Sequence, residues 1–335
     1  MSYETSTLLS VMQEMDRNIP FLLSLFFTEE IMFDTDEIDF DAIDEDVRIA
    51  PFVSPLVAGQ VMKERGSTLK KFKAAYIKPK TPVLPNRPLK RRAGEPIGGT
   101  LTPAQRMNAI RADILNSQMD SIDRRMEWMA ASALRTGQII VSGEKYPTSV
   151  VDFGRDPNLT VDVSGGAAAW DQSTSTPKED LEDIFALMKA PCNYVIGGRG
   201  AINAFMKHAD IKELMETRRG SSTQLETAPT VNLADYKGRL GSAGPEVWSY
   251  QGYYTDESGT QQLYIPDDEI ILVSMAVEGV QAFGAILDGE AGYMPARYFP
   301  KNWPEKDPPL EYLMTQSSPL TVPKRINGTA KIKVL

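Results

Sequence analysis

The side chains best able to do chemistry are scarce in this 335-residue chain, which has one histidine, His208, and one cysteine, Cys192. A zinc site of the usual Cys/His composition cannot be built from them, and an internal disulfide cannot form, so nothing demands an oxidising compartment. A nucleophilic triad on either residue would need a base and an orienting group that spacing does not supply; a lone histidine beside a helix end is most simply structural. Gly197-Gly198-Arg199-Gly200, between an expected strand and helix, invites a phosphate-cradling reading. It lacks the Lys-Ser/Thr pair of a phosphate loop, and Asn203 stands where a dinucleotide fingerprint has its third glycine, so it reads as a tight turn. Asp34 and Asp36 match the first two ligand positions of a calcium loop, but Ile38 follows and the turn glycine is absent. No catalytic, cofactor or metal residue is therefore assigned, and the chain is not read as an enzyme.

Charge is the more informative chemistry. The formal total is -9, with 42% hydrophobic and 24% charged residues, ordinary for a globular protein. Residues 1–50 hold thirteen acids and two bases, whereas residues 51–92 hold eleven bases against the single acid Glu64. The basic run admits a nucleic-acid-binding reading, which stays as the alternative. Against it stand the acidic flank and the lack of an aromatic-rich stacking platform. Acidic segments meeting basic ones, within or between subunits, account for both runs. The candidate contacts are Asp36, Asp39, Asp41 and Asp44 with Lys70, Lys71, Lys73, Lys78, Arg91 and Arg92.

The elements that must position these charges follow from periodicity. Ile38, Phe40 and Ala42 alternate with acids at a strand's period, and Phe72, Ala74 and Tyr76 do the same among the lysines from Lys70 to Lys78. Pro79, Pro82, Pro85 and Pro88 then suit an extended, polyproline-like path. This excursion is expected to be a hairpin or arm received by another surface, in preference to a free linker. Thr102-Pro103-Ala104-Gln105 is a capping box with proline at the first helical position, and Gly137 is the stop. Between them Met107, Ile110, Ile114, Leu115, Met119, Ile122, Met126, Met129 and Ala133 predict one helix roughly 50 Å long, a spine. A mixed α/β pattern follows. Strands are expected at 138–141, 149–153, 193–196, 270–275, 312–316 and 330–335, the last two returning to the spine. Helices are expected at 177–189, opened by a second capping box at Thr176, and at 201–207 and 211–217. A hairpin is expected from 247–254 and 261–265. The longest apolar run, 19–27, is too short to cross a bilayer and the start has no signal-peptide pattern, so a soluble, unexported protein is expected.

The blocks Val53-Ser54-Pro55-Leu56-Val57-Ala58-Gly59, Lys63-Glu64-Arg65-Gly66 and Tyr76-Ile77-Lys78-Pro79-Lys80 resemble the phage major capsid protein E family. So do Thr217-Arg218-Arg219-Gly220-Ser221, Ala296-Arg297-Tyr298-Phe299-Pro300-Lys301-Asn302-Trp303 and Gln316-Ser317-Ser318-Pro319-Leu320. They span almost the whole chain in order.

The resemblance implies an α+β, Hong Kong 97-like capsid fold. Its parts would be an acidic N-terminal arm (1–50), an extended loop (51–101), the spine helix with a peripheral domain (102–150), an axial domain (151–289) and a return to the peripheral domain (290–335). It implies hexamers and pentamers of one chain forming an icosahedral head around double-stranded DNA, without sequence-specific binding. The implied partners are a separate scaffolding protein, a portal and a decoration protein; no membrane is involved, and assembly takes place in the host cytoplasm. Arg218 and Arg219 join the candidate inter-subunit contacts.

Overall fold

The stripe between Thr102 and Gly137 forms one uninterrupted helix, Pro103–Thr136. Thr102 Oγ1 accepts from the Gln105 N–H and Gln105 Oε1 accepts from the Thr102 N–H, closing the capping box. Gly137 ends it in the left-handed region at φ 70°, where an added Cβ would lie 2.6 Å from Cβ of Arg155. Only glycine fits that stop.

The structure, a computed structural model, describes residues 8, 12, 20–35, 37–43, 67–90, 101–143, 146–216, 233–241, 244–307 and 309–335. In chain order its helices are α1 (Phe21–Phe26), α2 (the spine, Pro103–Thr136), α3 (Pro177–Leu187), α4 (Arg199–Lys207) and α5 (Ala209–Leu214). The strands of the first half are β1 (Glu29–Met32), β2 (Glu37–Ile43), β3 (Ser67–Lys73), β4 (Lys80–Val83), β5 (Gln138–Gly143), β6 (Tyr146–Asp152), β7 (Thr160–Asp162), β8 (Tyr194–Gly197) and β9 (Met215–Glu216). Those that follow are β10 (Ala234–Leu240), β11 (Glu246–Tyr250), β12 (Tyr253–Thr255), β13 (Gln261–Leu263), β14 (Glu269–Val273), β15 (Gly279–Phe283), β16 (Phe299–Glu305), β17 (Leu310–Gln316), β18 (Pro319–Pro323) and β19 (Thr329–Lys333).

The largest sheet has seven strands in the order β7-β19-β14-β8-β11-β10-β9. Its interior strand β14 is buried throughout, because both faces are covered. Ile271 and Val273 join Ile196, Trp248 and Tyr250 in a core shared with the spine and α1. Ile270 and Leu272 point the other way, into a second core with Val195 of β8, Ile202 and Phe205 of α4 and Leu181 of α3. The sheet draws strands from both sides of residue 289, since β19 pairs with β14 and β7.

Two three-stranded sheets, β1-β15-β18 and β16-β17-β4, pack along the spine. Gln118 fixes the second: its Nε2 donates to the Leu313 carbonyl at 3.0 Å and to Thr81 Oγ1 at 3.1 Å, and its Oε1 accepts from Thr315.

Several expectations need correction. The alternation expected over 70–78 stops at Lys73, where β3 ends, and the neighbours Ala74 and Ala75 are both buried, against a one-faced pattern. The proline run keeps an extended path, but part of it is a paired strand: Pro82 lies in β4, which pairs with β17, and Val83 is buried against Ile110, Ile114 and Leu313. β4 is an edge strand, where a missing N–H does no harm. Thr176 makes no capping bond, and α3 stops at Leu187. The expected hairpin of 247–254 with 261–265 is two structures, since β11 pairs with β8 and β10 while the shorter β12 pairs with β13. α4 begins at Arg199, two residues before the expected start, and α5 covers Ala209–Leu214 in place of 211–217.

The two Thr-Pro starts make a direct test. Thr102→Ala is expected to lower stability by about 1 kcal/mol, whereas Thr176→Ala stays within about 0.5 kcal/mol. Urea denaturation of the two variants beside the parent checks both.

Candidate functional site

The phosphate-like turn is filled by the protein itself. A Cβ on Gly198 would lie 2.3 Å from the Pro266 carbonyl oxygen, and the Ala201 N–H donates to the Asp267 oxygen at 2.7 Å, so backbone occupies the space above the turn. His208 Nε2 lies 2.8 Å from the Trp170 carbonyl, which only accepts; that nitrogen is therefore a donor, and cannot take a proton from Ser175 Oγ 3.4 Å away. Cys192 Sγ donates to the Tyr194 carbonyl, and burial pushes its thiol up to about 12. Such a thiol is inert. No group of three or more potential metal ligands forms among the described residues.

The acidic and basic segments meet in one chain. β2 and β3 form an antiparallel ribbon in which Glu37 stands opposite Lys73, Asp39 opposite Lys71, and Asp41 two places from Lys71. Ile38 faces Phe72 across the ribbon and is buried; Phe72 packs 6.1 Å from the Phe153 ring. Lys70 lies opposite Phe40 in the register. Lys71, Lys73 and Lys78 are exposed, and Lys78 lies over the Tyr76 ring at 4.8 Å. Asp36, Asp44, Arg91, Arg92, Arg218 and Arg219 lie outside the described residues.

Periodicity alone misses the polar residues on the inner face of the spine. Gln118, Asp123 and Glu127 are buried there, in helical phase with Ile114, Met119, Ile122 and Met126. That phase was the available signal.

Asp123 accepts from Arg297 Nη2 at 3.0 Å and from the Tyr298 hydroxyl. Arg297 also bonds Glu30 of β1 and Gln281 Oε1 of β15. Burial opposes the charge of Arg297, but Tyr298 and Asp123 outweigh it and raise its pKa further. One turn along, Glu127 accepts from the Leu22 and Leu23 N–H groups at 2.9 and 3.0 Å and from the Tyr250 hydroxyl at 2.7 Å. Leu8 and Met12 pack on Leu115 and Met119. The spine thus holds the N-terminal segment at successive points.

The chain matches the family described as phage major capsid protein E over residues 4–334. The chain belongs to that family. It is 32% identical over 327 residues to the major capsid proteins of Escherichia phage lambda and Escherichia phage N15, covering 95% of each chain. A crystallised protein described as a prophage capsid protein of E. coli CFT073 is similar over 100% of both chains, with 28% identity and a TM-score of 0.79. At 12% identity, a capsid chain of an empty GTA particle shares the fold with a TM-score of 0.51 over 95% of this chain and 97% of its own. As a member of the phage major capsid protein E family, the chain is a major capsid subunit of a tailed phage, with a place in the virion shell. The fold mixes helix and sheet as its capsid neighbours do.

Two outcomes follow. Arg297→Leu leaves Asp123 buried without its counter-charge and is expected to cost about 3–5 kcal/mol, read by urea denaturation. Lys71→Glu with Lys73→Glu places like charges opposite Asp39 and Glu37 and weakens the ribbon by about 0.2–1 kcal/mol per pair. Adding Glu37→Lys and Asp39→Lys restores it, as hydrogen exchange over 67–73 measures.

Proposed function

We propose that the chain self-assembles as hexamers and pentamers, in a Hong Kong 97-like arrangement, into an icosahedral head around packaged double-stranded DNA. The observation that carries this reading is the family match, which runs over residues 4–334. In this reading residues 1–50 are the arm, 51–101 the extended loop, 102–150 the spine and peripheral domain, 151–289 the axial domain and 290–335 the return.

Charge supports the same reading. The ribbon sets acid opposite base inside one subunit, and Lys71 and Lys73 are exposed. Single exposed ion pairs contribute roughly 0–1 kcal/mol, so many of them repeated over a shell steer assembly yet can be rearranged. Asp36, Asp39, Asp41, Asp44, Lys70, Lys71, Lys73, Lys78, Arg91, Arg92, Arg218 and Arg219 are the proposed contacts between subunits. A separate scaffolding protein, a portal and a decoration protein are the proposed partners, and the host cytoplasm the place of assembly.

The nucleic-acid-binding alternative is less favoured. Lys80 lies 3.7 Å from the centre of the Tyr312 ring and 4.9 Å from that of Trp303, which occupies these aromatic faces with a cation of the same chain.

Expression of the chain with its scaffold is expected to give megadalton shells in sedimentation and negative-stain microscopy, and Lys70→Glu, Lys71→Glu and Lys73→Glu together to lower their yield. A soluble monomer or dimer that binds duplex DNA with a steep salt slope would favour the alternative.

A further inference from the structure

Two carboxylates are buried one turn apart on the same face of the spine, and they are treated differently. Asp123 has a guanidinium against it. Glu127 is 0% exposed and, among the described residues, meets only two backbone N–H groups and a phenol. The N–H groups belong to α1, whose sequence Phe21-Leu22-Leu23-Ser24-Leu25-Phe26 carries no ionisable side chain. The phenol, Tyr250, comes from β11. A carboxyl with no counter-ion among the described residues therefore forms the seat on which the α1 segment rests.

The hydrogen bonding accommodates either protonation state. As a carboxylate, Glu127 accepts all three bonds. As an acid protonated on Oε1, it can donate to the Tyr250 oxygen, because a phenol accepts as well as donates, while the two N–H bonds remain. The backbone donors cannot reverse, so Tyr250 is the partner through which the proton can be accommodated, its own O–H then turning to the open cleft that Tyr250 lines.

We propose that docking of the α1 segment on the spine takes up a proton at Glu127, making the seat a proton-coupled latch for the N-terminal arm. With the segment lifted away, Glu127 meets water and ionises as an ordinary glutamate. With it docked, burial opposes the charge more strongly than the Leu22, Tyr250 and Leu23 donors favour it, and the pKa is pushed up to about 7. The docked state holds more protons than the undocked state between the ordinary and the raised pKa. Docking is therefore favoured in full below the ordinary value and weakens as pH rises through the window, levelling off above about 7.

The other charged and titratable groups around the seat do not supply this behaviour. Tyr250 and Tyr264 are both raised above the ordinary tyrosine value, first by burial and then by Glu127, so they stay neutral. On the spine, Asp123 is held by Arg297, and Arg124 gives its carbonyl to the Tyr264 hydroxyl at 3.3 Å. A cleft of about 170 Å³, lined by Phe21, Asp120, Arg124, Tyr250 and Tyr264, opens beside the seat and gives water a way to it.

Hydrogen exchange of the full-length chain tests the latch, with rates corrected for the intrinsic pH dependence of exchange. Protection of residues 21–27 is expected to fall by up to about tenfold per pH unit between about pH 5 and pH 7, then flatten. Glu127→Gln should remove the slope from 21–27. A flat wild-type profile over 21–27, or an unchanged slope in Glu127→Gln, overturns the proposal. Should that variant fail to fold, infrared difference spectra of the wild type decide: a buried protonated-carboxyl band that fades over the same window supports the latch, and its absence overturns it. The readouts are local to the seat, so they succeed or fail independently of whether shells form.

Discussion

The structure depends on one constraint: a long helix buries polar groups along its inner face, and each must be matched. An unpaired buried amide or carboxylate costs several kcal/mol, more than the folding free energy can spare at three places. Gln118 therefore needs β17 and β4, Asp123 needs Arg297, and Glu127 needs the start of α1. Apolar packing along Ile114, Ile122, Met126 and Met129 would hold many arrangements of the surrounding strands. The polar contacts select one, because hydrogen bonds are directional and buried ones leave little tolerance.

The same contrast explains what was legible in the sequence. The spine's ends were written in local chemistry, Thr102 with Gln105 at one and Gly137 at the other, and the run Ile270–Val273 announced a strand covered on both faces. The inner polar residues were hidden because a pattern of apolar periodicity assigns every polar residue to solvent, and only their phase distinguishes them. Thr176 looks identical to Thr102 in sequence, yet its backbone at φ -121°, ψ 68° does not bring the hydroxyl to the helix N–H groups. That difference is tertiary.

Proline hid several strands for a related reason. Pro82 lies in β4, Pro300 and Pro304 in β16, and Pro319 and Pro323 in β18, each of which is an edge of its sheet. A residue that argues against a central strand is harmless at an edge, and it also discourages further strand pairing there. The charge division was legible, but its register was not: that Asp39 stands opposite Lys71 depends on how the ribbon is seated by Ile38 and Phe72, which composition cannot specify.

The small sheet that joins β1 to β15 carries a consequence for time. Glu29 pairs in parallel with Val280, so a strand near the beginning of the chain finds its partner only when nearly all of the protein exists. At ordinary rates of synthesis that delay is on the order of tens of seconds. Ladders between residues so far apart also form slowly, because a long loop must close before any contact is made. A partly made chain thus lacks this sheet until β15 has been made.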